Sequence, residues 1–152
     1  MNDDPIECGF GEIAENGACV SDPTPRIELG FGNPYGAIEE GGEMPTAAGF
    51  QGLMDALVAY RLHGFNEESM LVATVSMFLT EDDEPLVQEF ATSGFAETSD
   101  NGFSILQQGF TIFASPAEVW GNEARIVVEV YDFGMEDVRA TLEQNVILVE
   151  NQ

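Results

Sequence analysis

From residue 26 onward, every apolar run is cut short by Gly, Pro, Asn or Asp, and this punctuation constrains the fold more than any other feature of the chain. The runs have strand length. They predict strands near residues 26–31, 42–47, 54–63, 70–79, 86–91, 103–114, 123–131 and 138–149. Several alternate with a period of two, as a strand buried on one face must. In 70–79, Leu71, Ala73, Val75, Met77 and Leu79 share one face, with Thr74 and Ser76 on the other. In 123–131, Ile126, Val128 and Val130 lie opposite Arg125 and Glu129. Such spacing suits an all-β sandwich or barrel. With 152 residues there is material for one core, not two.

The segment "GLMDALVAYRLHG" fits both periods. A strand buries Met54, Ala56, Val58, Tyr60 and Leu62, whereas a helix buries Met54, Leu57, Val58 and Leu62. Gly52 and Gly64 bracket a strand-length run and its neighbours are strands, so the strand is preferred.

Ahead of these strands stands "CGFGEIAENGAC", residues 8–19. Cys8 and Cys19 lack the two-residue spacing of redox motifs, and no second cysteine pair completes a zinc site. Between them, Asn16-Gly17 is the dipeptide best suited to a tight hairpin turn, which brings the cysteines together. A disulfide closing so short a loop contributes on the order of 3 kcal/mol in the chain-entropy model. It requires an oxidising compartment; the alternative is two unrelated thiols in a cytosolic chain. "SDPTPR" follows, with two prolines, and reads as a linker.

Charge excludes whole classes of partner. The 28 Asp and Glu residues face only Arg26, Arg61, Arg125 and Arg139, a net charge of −24 with no lysine. Such a surface repels phosphate backbones and anionic membranes and favours cations, basic proteins, or water and salt. No apolar run reaches the roughly 18 residues of a membrane span. "MNDDPIECGF" lacks the basic and apolar regions of a signal peptide, so either the chain is cytosolic or its leader is absent from this sequence.

No residue pattern supports catalysis. His63 is the single histidine, and no serine sits in Gly-x-Ser-x-Gly. The acidic run Glu81, Asp82, Asp83 and Glu84 offers hard oxygen ligands to Ca2+, without the spacing of an EF-hand. No other cofactor is expected. Tyr35 in "GNPYG" and Trp120 in "ASPAEVWGNEA" fall in loops, where binding residues concentrate, and are the candidate ligand contacts.

Two stretches carry resemblances. "CGFGEIAENGACV" followed by "SDPTPRIEL" resembles a short Cys-Gly-x-Gly…Asn-Gly-x-Cys-Val element near the mature N-terminus of secreted and lipid-anchored proteins of myxobacteria-like bacteria. That likeness implies a leader and a lipidated cysteine upstream of residue 1. "ARIVVEVYDFGMEDVRATLEQNVILVE" is similar to the closing hairpin of immunoglobulin-like domains in bacterial surface proteins. "GFQGLMDALVAYRLHGF" is similar to a Gln-Gly-Gly-x-His strand of uncharacterised domains in the same bacteria, but has Leu53 at the third position and Asp55 in place of the histidine.

The resulting expectation is an immunoglobulin-like antiparallel β-sandwich of about seven or eight strands. It spans residues 26–150, behind a disulfide-stapled hairpin at 1–20 and a linker at 21–25. The expected protein is a non-catalytic secreted or cell-surface, periplasm-facing module that contacts a protein or glycan through its end loops. A calcium-dependent surface or self-assembling protein is one alternative. A cytosolic acidic mimic of nucleic acid is another.

Overall fold

The computed structural model describes residues 8–32, 35–49, 52–66, 68–98 and 104–150. The predicted strand start at residue 103, and residues 1–7 of the predicted hairpin segment, lie outside the described residues. At the N-terminus, β1 (Glu12–Glu15) and β2 (Ala18–Ser21) form an antiparallel hairpin. Asn16 and Gly17 turn it with φ of 54° and 80°, the left-handed pair a two-residue hairpin turn demands. The Cys8–Cys19 disulfide closes the segment, with the Cα atoms 5.5 Å apart.

The remaining strands are β3 (Arg26–Phe31), β4 (Gly36–Ala37), β5 (Gly42–Ala48), β6 (Met54–His63), β7 (Leu71–Leu79), β8 (Pro85–Gly94), β9 (Glu97–Thr98), β10 (Ser104–Ile112), β11 (Glu123–Asp132) and β12 (Arg139–Glu150). One layer runs β4-β3-β6-β10-β9 and the other β5-β12-β11-β7-β8. The architecture is an immunoglobulin-like β-sandwich. β5 joins the layers: Gly42–Thr46 pair with β12, and Ala47 and Ala48 pair with β6. Its pairing with β12 is parallel, within a sandwich whose other described pairings are antiparallel.

Period-two burial explains why these segments are strands. β6 buries Met54, Ala56, Val58, Tyr60 and Leu62, which excludes the helical alternative for this segment. β7 turns Leu71, Ala73, Val75 and Met77 inward, and β11 turns Ile126, Val128 and Val130 to meet them. Leu29, Met44, Ile112 and Leu148 complete the middle of the core. Each such side chain, fully buried, contributes roughly 1.5–3 kcal/mol.

Two short elements escaped the sequence reading besides β4 and β9. One is α1 (Pro116–Val119), entered through Ser115, whose backbone N–H donates to Glu118 Oε2 at 3.4 Å. The other is a bulge in β8 opposite Ser76, where Glu89 takes a φ of 42°. Bulges of this kind disrupt the exposed ladder of an edge strand.

Candidate functional site

Loop position alone does not expose the two candidate aromatics. Tyr35 is half-buried, and its hydroxyl donates to Glu28 Oε1 at 2.9 Å and to the Glu28 carbonyl at 3.3 Å. Burial, and then the Glu28 carboxylate, push its phenol above the ordinary range. Trp120 packs against the core from the end of α1, and its Nε1–H donates to Thr46 Oγ1 at 2.8 Å. Both rings therefore have structural partners in other strands.

The acidic run Glu81–Glu84 forms the β7–β8 turn. Asp82 Oδ1 accepts the Glu84 N–H at 3.0 Å, and Asp83 takes a φ of 55° and lies 3.6 Å from Arg125 Nη2. Among the described residues, no three His, Cys, Asp or Glu side chains converge as a metal site. The run is built as a turn, with one carboxylate spent on its own backbone and another on an arginine.

His63 is occupied at the base of the N-terminal hairpin. Its Nε2–H donates to the Asp22 carbonyl, and its ring meets Phe10 edge-on with centroids 6.3 Å apart. Gly11 lies against that imidazole, at a φ of 81°; a Cβ there would sit 2.5 Å from Nδ1. The Asp22 N–H donates to the Gly11 carbonyl at 2.9 Å, and its carboxylate pairs with Arg26. Hydrogen bonds from Thr24, then Arg26, lower the Asp22 pKa from 3.8 to about 2.

Because this folded-state pKa is depressed, the stabilisation is complete above about pH 4 and disappears as pH falls toward 2. Acid titration is therefore expected to lower the amide protection factors of β1 and β2, with rates taken relative to intrinsic exchange at each pH, before the sandwich yields. Asp22→Asn should show the lowered protection already at neutral pH. Hairpin protection factors that stay constant from pH 5 to about 2 contradict the assignment.

The surface that sequence reasoning missed lies at one end of the sandwich. Leu71 of β7 pairs with Gly94 of β8 on one side and Asp132 of β11 on the other. One residue further out, the Phe133 N–H donates to the Met70 carbonyl at 2.9 Å, and on the other side Phe95 directly follows Gly94 at the end of β8. Met70, Phe95, Phe133 and the neighbouring Met135 are 40%, 56%, 64% and 62% exposed. These apolar side chains lie outside the core cluster, at the end of a very acidic chain, and exposed apolar patches mark contact sites.

The loop that presents the row is held from below. Buried Asp132 accepts the N–H groups of Gly134 and Met135 on Oδ1, at 2.9 and 3.1 Å. The Val138 N–H donates to the Met135 carbonyl at 2.8 Å, closing the turn. The backbone that carries Phe133 and Met135 is thus fixed before any partner arrives, which lowers the entropic cost of binding. Together with Gly134, Glu136 and Asp137 they line an open depression of about 520 Å3. Exposed Phe90 and Phe113 border two smaller depressions, of about 300 and 270 Å3, away from this end.

No protein-family model and no curated protein matches the chain. Among solved structures, it is similar to the ASH / PapD-like domain of human CEP192 (PapD-like domain 7). The TM-score there is 0.39 at 11% identity, covering 97% of this chain and 99% of that one. It is also similar to the N-terminal domain of PorA, with a TM-score of 0.35 at 11% identity over 80% of this chain and 96% of that one. Site assignment rests on the geometry above.

Proposed function

We propose that the protein is a non-catalytic binding module of an oxidising compartment, and that it docks a protein partner through the end bearing Met70, Phe95, Phe133 and Met135. The single observation that carries this reading is the exposed apolar row on a turn pre-shaped by Asp132. The Cys8–Cys19 bond supports the compartment, which secretion or attachment at a cell surface would supply, and argues against a cytosolic mimic of nucleic acid. His63, the chain's single histidine, is engaged in holding the hairpin rather than facing a cleft. Phenylalanine and methionine favour a protein over a glycan, because sugars are gripped by aromatic rings accompanied by convergent polar donors. No feature of the Glu81–Glu84 turn favours the calcium reading over this one.

The test is retention. Immobilised protein, challenged with the secreted and surface fractions of its source, is expected to hold a discrete partner that Met70→Ser/Phe133→Ser releases. Retention that survives the double substitution, or none at all, contradicts the proposal.

A further inference from the structure

The row does not stand alone: two carboxylates share its depression and two more stand close to it in the chain. Glu136 and Asp137 line the same depression as Phe133 and Met135, and both are exposed. Glu68 lies two residues before Met70, and Glu97 two residues after Phe95, again exposed. Arg139 is the cation beside this group, and it is already engaged. Its Nη1 lies 3.6 Å from Glu129 Oε2, its Nε donates to the Glu136 carbonyl at 2.9 Å, and its guanidinium lies 5.5 Å from the Tyr131 ring centre. The other three arginines likewise have carboxylate partners within the chain: Arg26 with Asp22, Arg61 with Glu28, and Arg125 with Asp83 and Glu143.

From this arrangement, and resting on the reading of this end as the binding surface, we infer that the occupant is a cationic amphipathic protein segment. Its apolar side chains lie on Met70, Phe95 and Phe133 while its Lys and Arg residues meet Glu136 and Asp137, with Glu68 and Glu97 adding to the negative field. The charge of the chain selects the sign. A second copy would bring −24 against −24, and an anionic membrane meets the same repulsion. The apolar chemistry selects the rest. Met70 and Met135 have flexible, polarisable side chains that mould to aliphatic or aromatic partners, so the surface accepts a class of segments rather than one shape. Three neighbouring strands at about 4.8 Å spacing give a row of roughly 10 Å, which suits one or two turns of a helix or a few extended residues. Lysine and arginine stems add apolar cover while their heads reach the acidic rim.

The probe is a labelled amphipathic leucine–lysine peptide about four helical turns long, read by fluorescence anisotropy at about 0.15 M salt. Its controls are a glycine–lysine peptide of equal charge and a leucine–glutamate peptide. The leucine–lysine peptide is expected to bind at least about tenfold tighter than either control. Met70→Ser/Phe133→Ser should abolish that difference. Glu136→Gln/Asp137→Asn should weaken binding several-fold and flatten its salt dependence. Equal binding of the two lysine peptides means bulk charge alone and overturns the inference, as does preferential binding that ignores both double substitutions. Preference for the leucine–glutamate peptide, or a concentration-dependent dimer lost in Met70→Ser/Phe133→Ser, also overturns it. If the substitution releases a natural partner but the leucine–lysine peptide shows no preference, the surface stands and only the cationic occupant falls.

Discussion

Replacing both cysteines, in Cys8→Ser/Cys19→Ser, is expected to release the amides of β1 and β2 to fast exchange while the sandwich stays folded. The hairpin has almost nothing else to hold it, since every residue of β1 and all but one of β2 are exposed. A two-stranded hairpin in isolation is marginal in water. The bond closes a loop of sequence separation 11, for which the chain-entropy model gives about 3 kcal/mol. What remains is the contact of Phe10 with His63 and Arg61, whose guanidinium lies 4.8 Å from the ring centre, and the Asp22–Gly11 hydrogen bond. Those contacts anchor one end of the hairpin and leave its turn free. Amide exchange resolved by residue checks this: loss of protection confined to residues 12–21 is the expected pattern. Global unfolding on reduction would mean that the hairpin is integral to the core.

A second large effect is expected inside the sandwich at Gln108. Its side chain is almost fully buried and ties the layers together through polar contacts. Oε1 accepts the Tyr60 hydroxyl, and Nε2 donates to the carbonyls of Ala73 at 3.0 Å and Phe90 at 3.4 Å. Tyr60 and Gln108 belong to one layer, Ala73 and Phe90 to the other. Burial raises the Tyr60 phenol above its ordinary range, so it remains a donor. Gln108→Leu keeps the volume but strands the Tyr60 hydroxyl and the Ala73 carbonyl, at a cost of roughly 2–4 kcal/mol. Tyr60→Phe/Gln108→Leu should cost clearly less than the sum of the single substitutions, because the second removes a group the first left unpaired. Urea unfolding of the four proteins measures the coupling. Strict additivity would mean that the contact carries no stability.

The strands were legible because burial on one face writes a period of two into the sequence. Met54 to Leu62, Leu71 to Leu79 and Ile126 to Val130 each carry it, and each is a strand. Asn16-Gly17 was legible for a local reason, the left-handed backbone its turn requires. Ser115-Pro116-x-Glu118 was a readable helix start that went unused. The partners of Tyr35 and Trp120 were not readable. Thr46 reaches Trp120 across 74 positions, and nothing local to a loop reports such a contact. The split pairing of β5 depends likewise on where two distant strands lie. Met70, Phe95 and Phe133 look like ordinary apolar residues at strand ends. Only the register that fixes Leu71 between Gly94 and Asp132 shows that the row falls beyond the core.

The central claim is that this row is surplus to the fold and kept for contact. Equilibrium urea unfolding of Met70→Ser/Phe95→Ser/Phe133→Ser, beside the unsubstituted protein, tests it most directly. The predicted result is a change in unfolding free energy within about 1 kcal/mol and an unaltered m-value, as for exposed side chains without buried partners. A loss of more than about 3 kcal/mol, the scale of removing buried apolar side chains, would place the row in the core and contradict the account.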